Sequence, residues 1–127
     1  MTNWYICQRV FSEEKKNAFW VVDLQGEIVD CFGIESHGEI STELRRMYLD
    51  QEFRRAGIGK RMLECAEEQA RSLGFRKMLV STAEIQRAAN RFYRRSGFRE
   101  VRMEVAQTMS TKQAGGGLTR FYFEKEL

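Results

Sequence analysis

Leu49-Asp50-Gln51-Glu52-Phe53-Arg54-Arg55-Ala56-Gly57-Ile58-Gly59-Lys60 is the stretch from which the rest of the chain can be read. Gly57 and Gly59, with small Ala56 before them, let a ligand approach bare backbone amides. The pattern that follows is helical, so the unpaired N–H groups and positive dipole end of a helix point into the same turn, which suits a pyrophosphate. Two nucleotide motifs are excluded by spacing. A Walker loop needs glycine where Arg54 stands and serine or threonine where Arg61 stands, and a dinucleotide fingerprint needs a small residue where Met62 stands.

Downstream of the turn, apolar side chains fall at Ile58, Met62, Cys65, Ala66, Ala70 and Leu73, with Gln69 the polar exception. This three-and-four spacing predicts an amphipathic helix, and Gly74 closes it. Upstream, alternating and β-branched runs predict strands at 4–10, 18–24, 28–34 and 43–49, with a turn at Gln25-Gly26-Glu27. Residues 12–17 are too few for more than one helical turn. After the helix, 75–81 reads as a buried strand around Met78, Leu79 and Val80. Ser81 with Glu84 three residues on matches a capping box, which starts a second helix with Ile85, Ala88, Ala89, Phe92 and Tyr93 on its apolar face and Ser96-Gly97 at its end. Val101, Met103 and Val105, then Phe121 and Phe123, recur at period two, predicting two antiparallel strands around a glycine-rich 110–117. Strands alternating with helices in the middle and hairpins at both ends predict an α/β or α+β fold with a mixed sheet.

The 127 residues suit one domain, spanning 1–127. At 43% apolar, 12% aromatic and 31% charged, the composition is that of a globular protein rather than a disordered one, and no apolar run approaches a membrane span. The start lacks the layout of a secretion signal, and Cys7, Cys31 and Cys65 form neither a disulfide framework nor a C-x-x-C pair, so a cytoplasmic location is expected. His37 has no second histidine near it and no metal site is expected. The net charge of +3 is unevenly spread, with Arg54, Arg55, Lys60 and Arg61 in one cluster and Arg91, Arg94, Arg95 and Arg99 in another. Both suit an anion, either a nucleic acid or a phosphorylated small molecule.

Arg54-Arg55-Ala56-Gly57-Ile58-Gly59 resembles the hallmark (Gln or Arg)-x-x-Gly-x-(Gly or Ala) of the GNAT family of N-acetyltransferases. Leu44-Arg45-Arg46-Met47-Tyr48-Leu49 is similar to the family's fourth strand, and Tyr93-Arg94-Arg95-Ser96-Gly97-Phe98 to its second signature, Y-x-x-x-G-F. The resemblance covers about residues 18 to 105. It implies a mixed, mostly antiparallel central sheet flanked by two main helices, with acetyl coenzyme A as cosubstrate. Its pyrophosphate would lie on Arg54, Arg55, Ala56, Gly57, Ile58, Gly59 and Lys60. Gln86 stands where asparagine commonly touches the pantetheine, Gln51 where proline is usual and Arg55 where glycine is usual. Members normally carry two helices between the first two strands. Here 12–17 leaves no room for them, so the acceptor side is open or covered by a partner chain, and a homodimer is expected.

The reaction implied is acetyl transfer to an amine of a small molecule or an exposed protein amine, by direct attack in a ternary complex. Lysine-like amines have pKa near about 10.4, so a base must take a proton, and a carboxylate can do this directly or through water. Glu43, eleven residues before Arg54, has the spacing at which some members place that base; otherwise it is a solvated strand-end acid. A backbone amide from Met47 to Leu49 is the expected donor to the thioester oxygen as it gains charge. Tyr93 is the candidate to protonate the leaving thiolate, with a core aromatic as the competing reading. Glu84 is accounted for by the capping box. Trp4, Trp20 and Tyr48 are expected in sheet packing, and Arg45 either pairs with Glu43 or meets a substrate carboxylate. Two other classes of function remain: a coenzyme A-binding module without turnover, and a nucleic-acid binder. The second would need aromatic residues free to stack, whereas three of the four beside the arginines, among Phe53, Phe92, Tyr93 and Phe98, fall where the fold needs them, so no nucleic acid and no membrane are expected as partners.

Overall fold

The computed structural model describes residues 4–45, 47, 57–105 and 119–127. The chain divides into two compact units, residues 1–78 with Leu127, and residues 79–126. Among the described residues, seven strands and two helices place it in the α/β (α+β) class.

The first unit opens with β1 (Trp4–Ser12), β2 (Asn17–Leu24), β3 (Glu27–Ser36) and β4 (Ser41–Arg45), an antiparallel meander. β1 and β2 are joined by a tight hairpin in which Ser12 pairs with Asn17, so the short connection expected from the sequence is present and no helix intervenes. The β2–β3 turn places Gln25 and Gly26 at φ 53° and 88°. Two consecutive positive φ values are what a two-residue hairpin turn uses to match strand twist, and Asp23 Oδ1 accepts the Gly26 N–H at 2.8 Å. Trp20 and Phe32 stack at 4.9 Å beneath this sheet.

Helix α1 (Ile58–Ser72) packs on β3 and buries Ile58, Met62, Leu63, Ala66 and Ala70. Its buried stripe is turned slightly from the one expected, since Leu63 and Glu67 lie inside whereas Cys65 and Gln69 are half-buried. Glu67 is tolerated there beside Arg71, 3.7 Å away. Gly74 ends the helix at φ 90°, and the N–H groups of Leu73, Gly74 and Phe75 cap its last carbonyls.

β5 (Lys77–Ala83) begins in the first unit and runs into the second, which holds α2 (Arg87–Arg95), β6 (Arg99–Val105) and β7 (Thr119–Glu126). In this unit β7 lies between β5 and β6, and β6 pairs with it antiparallel. The capping box expected at Ser81 and Glu84 does not form. Ser81 is still in the strand, its hydroxyl oxygen accepting from Arg120 at 3.2 Å, and the Glu84 N–H donates to the Thr119 carbonyl at 2.9 Å. Strand pairing takes the backbone groups that a cap would have used, so the helix starts later, at Arg87, and Ile85 is left 67% exposed. β6 also departs from its alternation. Val101, Met103 and Val105 are 47%, 58% and 60% exposed, because β6 is the outer strand of its unit and every one of its residues is exposed among the described ones.

Candidate functional site

Each unit carries its own set of the residues expected from the sequence to serve function. In the first, Gly57 precedes α1 in the left-handed region at φ 74° and ψ 13°, which lets the chain turn sharply into the helix. Its carbonyl accepts the Arg61 N–H at 3.1 Å. No acidic residue occupies the first turn, Ile58 and Gly59 are buried and Lys60 is exposed, so the helix start presents amides and positive charge without a side-chain competitor. These are the features a phosphate group requires. Leu49, Arg54, Arg55 and Ala56, together with Gln51, Phe53 and Tyr48, lie outside the described residues. Met47 is described and 8% exposed.

Glu43 lies on β4 directly opposite Glu35 of β3. Two carboxylates facing each other would repel, and Arg45 lies between them, its Nη1 at 3.3 Å from Glu43 and 3.8 Å from Glu35. His37 Nδ1 approaches Glu43 from the other side at 3.6 Å. Register explains the gathering: Glu43 and Arg45 are two residues apart on one strand and therefore share a face. Of the two roles open to Arg45, the pairing with Glu43 is present.

In the second unit Gln86 precedes α2. Its Oε1 accepts the Ala83 N–H at 2.7 Å and its own N–H donates to the Ala83 carbonyl at 3.0 Å, so the side chain closes the β5–α2 turn. Asn90 escaped the sequence reading. It is 4% exposed, accepts the Thr82 hydroxyl with Oδ1, and donates Nδ2 to the Ala83 and Glu84 carbonyls at 3.3 and 3.4 Å. An asparagine inside an apolar helix face was the available signal, since such a group is buried only with partners. Tyr93, one turn on, is 2% exposed and meets Phe98 at 5.4 Å, Phe92 at 5.5 Å and Phe123 at 6.3 Å between ring centroids. Its ring is part of the aromatic core of this unit.

Among the described residues no helix is long and apolar enough to cross a membrane, and no three His, Cys, Asp or Glu residues gather as metal ligands. Cys7, Cys31 and Cys65 are all unpaired.

Residues 15–100 match the family model for the acetyltransferase (GNAT) domain. The chain is 35% identical over 86 residues to the N-acetylaspartate synthetase of Danio rerio, covering 67% of this chain and 30% of that protein. It is 34% identical over 89 residues to the uncharacterized N-acetyltransferase YjgM of Escherichia coli K12, covering 67% and 53%. The chain thus spans about half or less of the length of these curated relatives. Among solved structures, a GNAT family acetyltransferase from Elizabethkingia anophelis with acetyl-CoA bound has a TM-score of 0.79 at 16% identity, covering 98% of this chain and 99% of that one. The IAA acetyltransferase from Bacillus cereus has 0.78 at 15%, with the same coverage. These two likenesses carry the fold, and the family match carries the assignment. The chain belongs to the GNAT acetyltransferase family.

Proposed function

We propose that residues 1–127 form one acetyltransferase-like domain that transfers an acetyl group from acetyl coenzyme A to a primary amine by direct attack in a ternary complex. The observation that carries this reading is the start of α1, where left-handed Gly57, buried Gly59 and exposed Lys60 follow the arginine pair of the family hallmark. The pyrophosphate takes the N–H groups of this turn with Arg54, Arg55 and Lys60 around it, and Gln86 stands at the pantetheine position. Glu43, with its side chain partly open to solvent, removes the proton from the bound ammonium. The free amine attacks the thioester carbon, and the oxygen that gains charge is met by a backbone amide of the Met47 to Leu49 segment. The tetrahedral adduct then expels the thiolate, which Tyr93 protonates, and the second proton lost by the nitrogen as it becomes the amide restores the phenol. The atoms balance as amide, free thiol and one proton passed to Glu43.

The three unpaired cysteines support a reducing, cytoplasmic setting. The exposed Val101, Met103 and Val105 on the outer strand β6 support a homodimer. A coenzyme A-binding module without turnover is the second reading, and the burial of Tyr93 within an aromatic core favours it.

Titration calorimetry with acetyl coenzyme A tests the assignment. Binding is expected in the wild type, weakening with salt, and lost in Gly57→Glu, which puts an anion where the pyrophosphate lies. Gly57→Ala separates charge from backbone strain: it carries the same left-handed penalty of about 1 to 2 kcal/mol without the carboxylate and should retain binding in its folded fraction. Absence of binding at millimolar ligand, or equal binding by the Glu variant, removes the reading. Thiol release with an amine panel then separates enzyme from module.

A further inference from the structure

One face of the first unit carries a cleft of about 280 Å³ that none of the roles above uses. Cross-strand register builds it: Val10 pairs with Phe19, Phe19 with Gly33, and Gly33 with Arg45, so these four form one row across β1 to β4, with Glu35 and Glu43 in the row beside it. Partners across strands share a face. Gly33 carries no side chain in the middle of the row, and the Ala18 carbonyl oxygen and the Phe19 ring close over it, 2.9 Å and 3.2 Å from where a Cβ would lie. Glycine is therefore required here by close approach, which lets the Phe19 ring lie across the row and form part of the cleft wall. A volume near the lower end of the roughly 300 to 1,000 Å³ of small-molecule sites suits a metabolite rather than a larger ligand.

The polar groups at the cleft have both signs. Glu35 and Arg45 line it, and both contacts of Arg45, to Glu35 and Glu43, use Nη1 alone. Among the described residues this leaves the Nε and Nη2 edge of the guanidinium fork, on a side chain 49% exposed, for a planar anion. Asn17, at the start of β2, also lines the cleft, and its Oδ1 is buried without a hydrogen-bond partner among the described residues. That oxygen is closed off from solvent and so out of reach of a ligand, and the group at the cleft that can receive an ammonium is the carboxylate of Glu35, 63% exposed. Two carboxylates alone would favour a polyamine. Arg45 between them repels a second ammonium and attracts a carboxylate, so charge complementarity selects a zwitterion. Val10 and Phe19 supply an apolar wall for its side chain.

We propose that this cleft is the acceptor subsite and that it takes a free amino acid with an apolar or aromatic side chain, Arg45 holding the carboxylate and Glu35 receiving the ammonium beside Glu43. The proposal rests on the acetyltransferase reading above for the reaction, though not for the binding. The test compares matched pairs that differ only in the carboxylate, phenylalanine with 2-phenylethylamine and leucine with 3-methylbutylamine, together with spermidine. Thiol release from acetyl coenzyme A should favour each amino acid over its amine by about 10- to 100-fold in kcat/KM, the scale of a charge-assisted hydrogen-bonded pair. In Arg45→Gln that ratio should collapse towards one, and Arg45→Lys, which keeps charge without the fork, should fall between. Equal use of amine and amino acid by the wild type, preference for spermidine, or an unchanged ratio in Arg45→Gln overturns the proposal. Calorimetry of phenylalanine and 2-phenylethylamine with the wild-type chain, without acetyl coenzyme A, needs neither turnover nor a folded variant. Preferential binding of phenylalanine supports the subsite, and no binding of it overturns the subsite. If acetyl coenzyme A binds while no amino acid binds or turns over, the subsite fails and the acetyltransferase reading stands; if acetyl coenzyme A does not bind, that reading fails by itself.

Discussion

Replacing Asn90 by alanine should destabilise the chain more than any other single change at the β5–α2 turn. Asn90 and Thr82 are 4% and 3% exposed, and the asparagine amide makes three hydrogen bonds, one received from the Thr82 hydroxyl and two given to the Ala83 and Glu84 carbonyls. Each is worth a net of about 1 kcal/mol, and a buried group left without a partner costs about 1 to 3 kcal/mol. Ala83 is fully buried and its carbonyl also accepts from the Gln86 N–H, so it is partly compensated, whereas the Thr82 hydroxyl loses its acceptor. The expected loss is about 2 to 4 kcal/mol, a large share of the roughly 5 to 15 kcal/mol of a typical domain. Urea unfolding followed by circular dichroism measures it, and the melting temperature should fall by roughly 6 to 15 °C. Thr82→Val alone should cost about 1 kcal/mol, and the double variant should cost less than the sum of the two by a similar amount, because one interaction is counted in both single changes. An Asn90→Ala chain within about 0.5 kcal/mol of the wild type, or strictly additive single changes, would refute the view that a satisfied polar network organises this turn.

Tyr93→Phe keeps the ring among Phe92, Phe98 and Phe123 but removes the phenol proton, so acetyl coenzyme A affinity should hold while turnover falls by about 10² to 10⁴-fold; intact turnover with weakened binding would make the phenol a binding group instead. Glu43→Gln should lose activity at neutral pH and regain part of it at alkaline pH, where the amine is already neutral, and a rate profile parallel to wild type would dismiss Glu43 as the base. Burial pushes the Cys65 thiol above its ordinary range, with Glu68 and Glu64 adding to the rise and Arg61 opposing it. The folded state thus favours the protonated thiol, a contribution present below the unfolded pKa and lost as pH rises through the folded one; Cys65→Ala should flatten the decline in stability above about pH 8.5, and identical alkaline limbs would contradict this. Light scattering at high micromolar concentration should give twice the monomer mass, a value that charged substitutions at Val101 and Met103 should halve.

Local pattern was enough for much of this chain. The stripe at Ile58, Met62, Ala66 and Ala70, the glycine stop at Gly74 and the hairpin at Gln25-Gly26 depend on interactions within a few residues, and each is found where the spacing places it. The glycine turn at Gly57-Ile58-Gly59 was legible for the same reason, since the left-handed conformation and the free amides of a helix start are written in adjacent positions. The length of 12–17 likewise excludes helices between β1 and β2, and Ser12 pairs directly with Asn17.

Tertiary structure decided whatever depended on a distant competitor. Ser81 and Glu84 have the spacing of a capping box, but Arg120 and Thr119, far along the chain, hold the Ser81 hydroxyl and the Glu84 N–H, and strand pairing displaces the cap. The alternation of Val101, Met103 and Val105 signals a strand without saying whether anything covers it, and its exposure follows from the place of β6 outside β7. The gathering of Glu35, Glu43 and Arg45 on one face of the sheet depends on strand register, which a one-residue slip would reverse. Sequence by itself determined most of the elements and the glycine turn into α1 because short-range geometry governs them; the cleft, the Asn90 network and the burial of Tyr93 belong to the tertiary structure, because each needs residues that only folding brings within bonding distance.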